Sequence, residues 1–169
     1  MKKRIVASAI LILFAVGTVW SQSNGYVMKR GEGELLWDGD GLIKASPRTG
    51  SQGAEMMWAA VGGSSGIHVH NETDEFFYVV GGEGMVLVSG QEVNILAGDV
   101  VFVPKGAEHR IRNSGSTEAL ELITLVDKSG LASEFRDHYM EIQSLGRALS
   151  LEELNRISER YGTTYLTLE

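Results

Sequence analysis

The sequence predicts an all-β domain, an antiparallel barrel or sandwich, followed by two short C-terminal α-helices. Three observations predict it. From Tyr26 to about Val126, short runs of β-type residues are broken by clusters of Gly, Ser, Asn and Asp. Only two prolines, Pro47 and Pro104, interrupt the whole chain. After Asp127 the apolar residues stop alternating and recur every three or four positions.

The first element is a leader. Residues 2–4 are basic, Ile5 to Trp20 carries no charge, and small polar residues follow, which is the layout of a secretory signal peptide over residues 1–23. The apolar run is short for a membrane-spanning helix, which needs roughly 20 residues, although an uncleaved anchor is the alternative because no A-x-A cleavage site is present. The expected localisation is therefore exported, periplasmic or extracellular. No cysteine is present, so there are neither disulfides nor a lipidated N-terminal cysteine. The net charge of −7 becomes more negative once the three basic leader residues leave, and such a surface repels phosphate backbones, which excludes nucleic acid as the expected partner.

The barrel is expected over residues 24–130. Its clearest strands are Glu34 to Trp37, Glu55 to Val61, Glu75 to Val80, Met85 to Val88, Glu92 to Leu96, Val100 to Val103, His109 to Arg112 and Leu120 to Val126. Ser89-Gly90-Gln91 marks a hairpin, because Gly90 tolerates the positive φ of a tight turn. Residues 131–169 form a helical extension. Leu131 to Leu145 reads as a helix with Leu131, Phe135, Tyr139 and Ile142 on one face. Ser150 caps a second helix and Glu153 completes a capping box, while Leu154, Ile157 and Tyr161 share a face and Gly162 stops it. Both helices are expected to pack on the barrel or on a partner subunit.

Three of the four histidines fall in two glycine-punctuated segments, GGSSGIHVHNETDEFFYVVGG and GDVVFVPKGAEHRIRN. Residues two apart on a strand point the same way, so His68 and His70 share one face with Val69 on the other. Glu75 opens the next strand, where an antiparallel neighbour would bring its carboxylate beside the pair. His109 follows the turn Pro104-Lys105-Gly106. Three imidazoles and one carboxylate make a mixed N/O set suited to one divalent transition metal, Fe, Mn, Ni, Cu, Co or Zn, with positions open for water or substrate.

These residues resemble the two motifs of the cupins, G(X)5HXH(X)3-4E(X)6G and G(X)5PXG(X)2H(X)3N. Gly62, His68, His70, Glu75 and Gly82 fill the first, and Gly98, Pro104, Gly106, His109 and Asn113 fill the second. The resemblance covers Gly62 to Asn113 by motif and Gly41 to Val126 by strand pattern. It implies a double-stranded β-helix, the cupin jelly-roll barrel, in which His68, His70, Glu75 and His109 hold the metal. A single motif pair implies a single barrel, and by resemblance a homodimer.

Simpler roles compete at several positions. Asp74 and Glu72 are rival carboxylates, but Glu75 alone leaves six residues before a glycine followed by continuing strand. His138 stands outside either motif and reads as a surface histidine. Phe77 and Val79 share the facing of Glu75 and would wall a pocket, whereas Arg110 and Arg112 face away from His109, outside the barrel. Cupins include dioxygenases, isomerases, decarboxylases and plain binders. The leading expectation is an exported, dioxygenase-like metal-dependent oxidoreductase acting on a small oxygen-bearing organic substrate, with Glu75 as proton shuttle. The alternatives are a metal-dependent isomerase of a sugar or small metabolite, and a non-catalytic module for metal or a small ligand.

Overall fold

The computed structural model describes residues 27–168 except for 31, 40, 47–53, 116–117 and 129. The leader and its alternative as a membrane anchor lie outside the described residues. Among those described, no helix is long and apolar enough to cross a membrane.

In chain order the strands are β1 (Glu34–Asp38), β2 (Gly41–Ala45), β3 (Glu55–Val61), β4 (His68–His70), β5 (Glu75–Gly81), β6 (Glu83–Val88), β7 (Gln91–Leu96), β8 (Val100–Val103), β9 (Glu108–Asn113) and β10 (Leu120–Val126). The helices α1 (Leu131–Leu145) and α2 (Leu151–Ser158) follow, then a 3-10 turn over Glu159–Tyr161 and a last strand, β11 (Thr163–Tyr165). Two antiparallel sheets face each other, one ordered β1-β2-β3-β10-β5-β8 and the other β11-β4-β9-β6-β7, the arrangement of a jelly roll.

Alternation decides which side chains enter the space between the sheets. Along β5, Glu75, Phe77 and Val79 are buried while Phe76, Tyr78 and Val80 face out. Phe77 and Val79, expected from their facing to wall a pocket, are part of the packed central core with Val86, Ile95, Ile111 and Leu122. Ser89 and Gly90 both take positive φ, 48° and 79°, so β6 and β7 are joined by a two-residue turn of the type whose twist matches the strands.

The C-terminal part holds the main departures from expectation. Helix α1 has the predicted limits, but its buried residues are Leu131, Ala132, Glu134 and His138, and the apolar stripe of Phe135, Tyr139 and Ile142 is only half covered. Tyr139 leans on Trp37 of β1, ring centroids 6.2 Å apart. Glu134 and His138 turn inward because hydroxyls of the C-terminal segment wait for them there. His138 is therefore not a surface residue: it is 3% exposed, and its Nε2 lies 2.8 Å from the Ser158 hydroxyl. At the start of α1, Gly130 has no side chain to cap with. The buried Glu55 of β3 supplies the carboxylate, accepting from Ala132 N at 3.0 Å. Helix α2 has the predicted capping box on Ser150 and Glu153.

Strand β11 was not expected. It runs antiparallel to β4, with Thr163 opposite His70 and Tyr165 opposite His68. The chain beyond it is strapped to the same place, since Leu166 N donates to Ile67 O at 2.7 Å and Ile67 N donates to the Thr167 hydroxyl at 3.1 Å.

Candidate metal centre

His68, His70, Glu75 and His109 are all buried, and one potential ligand atom from each lies within 4.8 Å of those from the others. His68 and His109 are directly opposed across the β4–β9 ladder, while His70 projects from the same face of β4 two residues on. Glu75 arrives differently from the sequence expectation. It stands on β5, in the other sheet, so the Asn71-to-Asp74 turn carries the chain between sheets instead of forming a ladder with β4. The cluster thus bridges the two sheets.

Both rival carboxylates are occupied elsewhere. Asp74 Oδ1 accepts the Lys105 amide at 2.8 Å, steadying the turn that precedes His109, and Glu72 is exposed beside Lys128. That turn needs Gly106 at φ 82°, a conformation side chains resist, and its amide donates to His70 O at 2.8 Å. Motif residue Asn113 is a stitch between strands, donating to Val61 O and Glu118 O. Arg110 pairs with Glu92 and Arg112 with the sulfur of Met85, both away from the cluster as expected.

The outer nitrogens of the rings decide which nitrogen faces inward. A carbonyl can only accept, so Gly66 O, 2.8 Å from His68 Nδ1, and Ala107 O, 3.1 Å from His109 Nδ1, place a proton on each Nδ1. In a neutral imidazole that leaves Nε2 with its lone pair free for a metal. The His70 Nδ1 lies 3.0 Å from the Thr163 hydroxyl.

Inside the cluster, one carboxylate oxygen faces two rings: Glu75 Oε2 is 3.0 Å from His109 Nε2 and 3.3 Å from His70 Nε2. The His70 Nε2 is buried without an aligned hydrogen bond. Such a nitrogen, aimed at a carboxylate among Nε2 atoms, fits a cation in the middle, and the donor set of three imidazole nitrogens and one carboxylate suits a transition metal. Burial pushes the Glu75 carboxyl up, and contacts from His109 and His70 more than offset it, holding the group at about 2. Burial, with His109 and His70 adding to it, drives His68 well below 6.5 and keeps it neutral. Burial also lowers His70, but the Glu75 carboxylate outweighs it and the net shift is upward.

The surroundings add residues that motif reading missed. Tyr165 stacks on His68, ring centroids 4.9 Å apart and planes 21° from parallel; burial, then the charges of Glu134 and Glu75, push its phenol well above 10. Phe77 closes the other side, 6.5 Å from His109 between centroids. Thr163 donates to Glu134 Oε2 at 2.7 Å. The available signals were a Glu and a His four apart on a helix, Glu134 and His138, and the β-prone Thr163-Thr164-Tyr165 just after a stop glycine.

A family profile described as "Cupin domain" matches residues 56–126, which span β3 to β10 and all four cluster residues. Residues 56–126 are a cupin domain. The oxalate-binding protein of Thermotoga maritima is 40% identical over 65 residues, 38% of this chain and 53% of the relative. This cupin thus spans about half the length of that curated relative. Among solved structures, a nucleoside dehydratase superposes with a TM-score of 0.56 at 12% identity, covering 85% of this chain and 92% of the other. A variant of Bacillus subtilis oxalate decarboxylase reaches 0.50 at 23% identity, covering 57% of this chain and 28% of the other. Both likenesses concern the fold alone. The cupin barrel carries, in His68, His70, Glu75 and His109, a cluster that could hold a metal ion.

Proposed function

We propose that this cupin binds one divalent transition metal through Nε2 of His68, His70 and His109 and a carboxylate oxygen of Glu75. In this reading it acts as a dioxygenase-like oxidoreductase on a small oxygen-bearing organic substrate. The observation that carries the reading is the set of inward Nε2 atoms around Glu75 Oε2, with proton-accepting partners fixed behind the rings. A bound redox metal would supply electron transfer to and from substrate and O2.

The protein's own residues do the rest. Tyr165 and Phe77 flank the histidines with apolar surface, which excludes water. Glu75 is held as a carboxylate between two rings; with Oε2 turned to the ligand nitrogens, its other oxygen, Oε1, is the atom that would take a proton from a substrate hydroxyl or enol.

A second reading is favoured by the identity with an oxalate-binding protein: the same cluster would hold a small carboxylate ligand without turning it over. Elemental analysis of the purified protein, joined to oxygen uptake with phenols, flavonols and diketones and to calorimetry with oxalate, separates the two. One redox metal with substrate-dependent uptake supports the oxidoreductase. Stoichiometric zinc, no uptake and oxalate binding would replace it with the binding module.

A further inference from the structure

The third histidine is held by a part of the chain that lies outside both motifs. Thr163 sits on β11 directly opposite His70 on β4, and both are buried. A hydroxyl has one proton to give. Thr163 directs it to Glu134 Oε2 at 2.7 Å, so its oxygen faces His70 Nδ1, 3.0 Å away, as an acceptor. The chain of groups is therefore carboxylate, hydroxyl, imidazole, and it ends with Nε2 of His70 turned toward Glu75 and the other two histidines. The arrangement gives His70 the same tautomer that backbone carbonyls impose on His68 and His109.

Glu134 itself needs a reason to be there. It is 0% exposed, and its nearest basic group is His138 Nε2 at 3.9 Å, on a ring that burial holds neutral. An unpaired buried carboxylate is costly, and an apolar residue on this face of α1 would serve stability better. A divalent cation among the four candidate ligands changes the balance, because two carboxylates, Glu75 directly and Glu134 from behind the His70 ring, then face two positive charges.

Resting on the four-ligand reading above, we infer that Glu134 and Thr163 are positioning residues of the metal centre, the carboxylate acting through the hydroxyl to orient His70 and to complement the charge of the ion. The C-terminal extension is thus a working part of the centre, supplied by α1 and β11.

The test uses the full chain as wild type and as Thr163→Val, Thr163→Ser, Glu134→Gln and His109→Ala. Cobalt(II) affinity is measured by chelator competition, the visible spectrum of the cobalt form is recorded, and the 15N shifts of His70 report its tautomer in the metal-free protein. Thr163→Val is expected to weaken cobalt binding by about 10–100-fold, to alter the spectrum and to mix the His70 tautomers. Thr163→Ser restores all three. Glu134→Gln weakens binding by about 10-fold while the metal-free protein melts no lower than wild type, a split that a merely structural carboxylate would not produce.

If Thr163→Val binds cobalt within about three-fold of wild type, against the loss expected for such a contact, while His109→Ala loses it, the inference is wrong and the ligand set stands. Retention by His109→Ala would instead sink the ligand set. Should Thr163→Val fail to fold, Glu134→Gln decides: unchanged affinity with an unchanged spectrum overturns the inference.

Discussion

His68 and His109 are oriented by carbonyls two residues behind them in the chain, whereas His70 is oriented by a hydroxyl 93 residues away. The first two are local devices, written into Gly66-Ile67-His68 and Ala107-Glu108-His109 and carried wherever those turns go. The third exists only when the C-terminal segment returns to lie beside β4. A candidate metal site with a continuous-looking motif therefore has two kinds of support, and they should fail differently.

The largest expected effect comes from removing a ligand outright. His109→Ala or His68→Ala should abolish metal retention, read by elemental analysis after dialysis, because one fewer nitrogen leaves a set too poor to hold the ion. Full metal content in His109→Ala contradicts the ligand assignment.

A middle-sized effect comes from loosening the C-terminal segment at Gly66, the residue whose carbonyl also orients His68. A Cβ on Gly66 would lie 2.2 Å from Thr167 O, a backbone atom with little room to give. Gly66→Ala should push the strap off β4 and destabilise the protein by about 1–3 kcal/mol. Hydrogen exchange should show amides of β11 losing protection while those of β5 and β10 keep theirs. Unchanged protection in β11 would mean the strap does not depend on that close approach.

The smallest effect is in pH dependence. Burial, outweighing Asp137, lowers His138 to about 4, below its unfolded value of 6.5. The unfolded chain therefore binds more protons once the pH falls through 6.5, and stability present above that pH is lost as it falls toward 4. His68, lowered well below 6.5, works in the same direction. His70 opposes them: its raised value contributes stability present below 6.5 and lost as the pH rises through the folded value. The metal-free protein carrying His138→Gln should show a shallower decline between pH 6.5 and 4 than wild type, by up to about 3 kcal/mol across the window. Parallel curves in thermal melts would show that His138 is not held neutral.

How legible each region was follows the same division. Strands β3, β8 and β10 and helix α1 have the limits that alternation and period predict, because burial on one face imposes a repeat the eye can count. The capping box at Ser150 was equally plain, since both of its hydrogen bonds lie within four residues. By contrast β2 carries no strict alternation in Gly41-Leu42-Ile43-Lys44-Ala45, and every residue before Ala45 is only half buried. Strand β11 is three residues long, too short for a pattern. The inward turn of Glu134 and His138 broke the apolar stripe of α1, because hydroxyls brought there by later residues made polar burial tolerable.

What the sequence by itself determined was the set of residues that meet at the centre and two of the three histidine orientations. Spacing along a strand and a carbonyl two positions back are properties of the local chain. The tertiary structure alone decided that Glu75 reaches across from the opposite sheet and that Tyr165 stacks on His68. It alone decided, too, that a carboxylate from α1 stands behind His70 through Thr163. Those contacts join segments far apart in the chain, and their energies depend on burial and on partners that no local pattern contains.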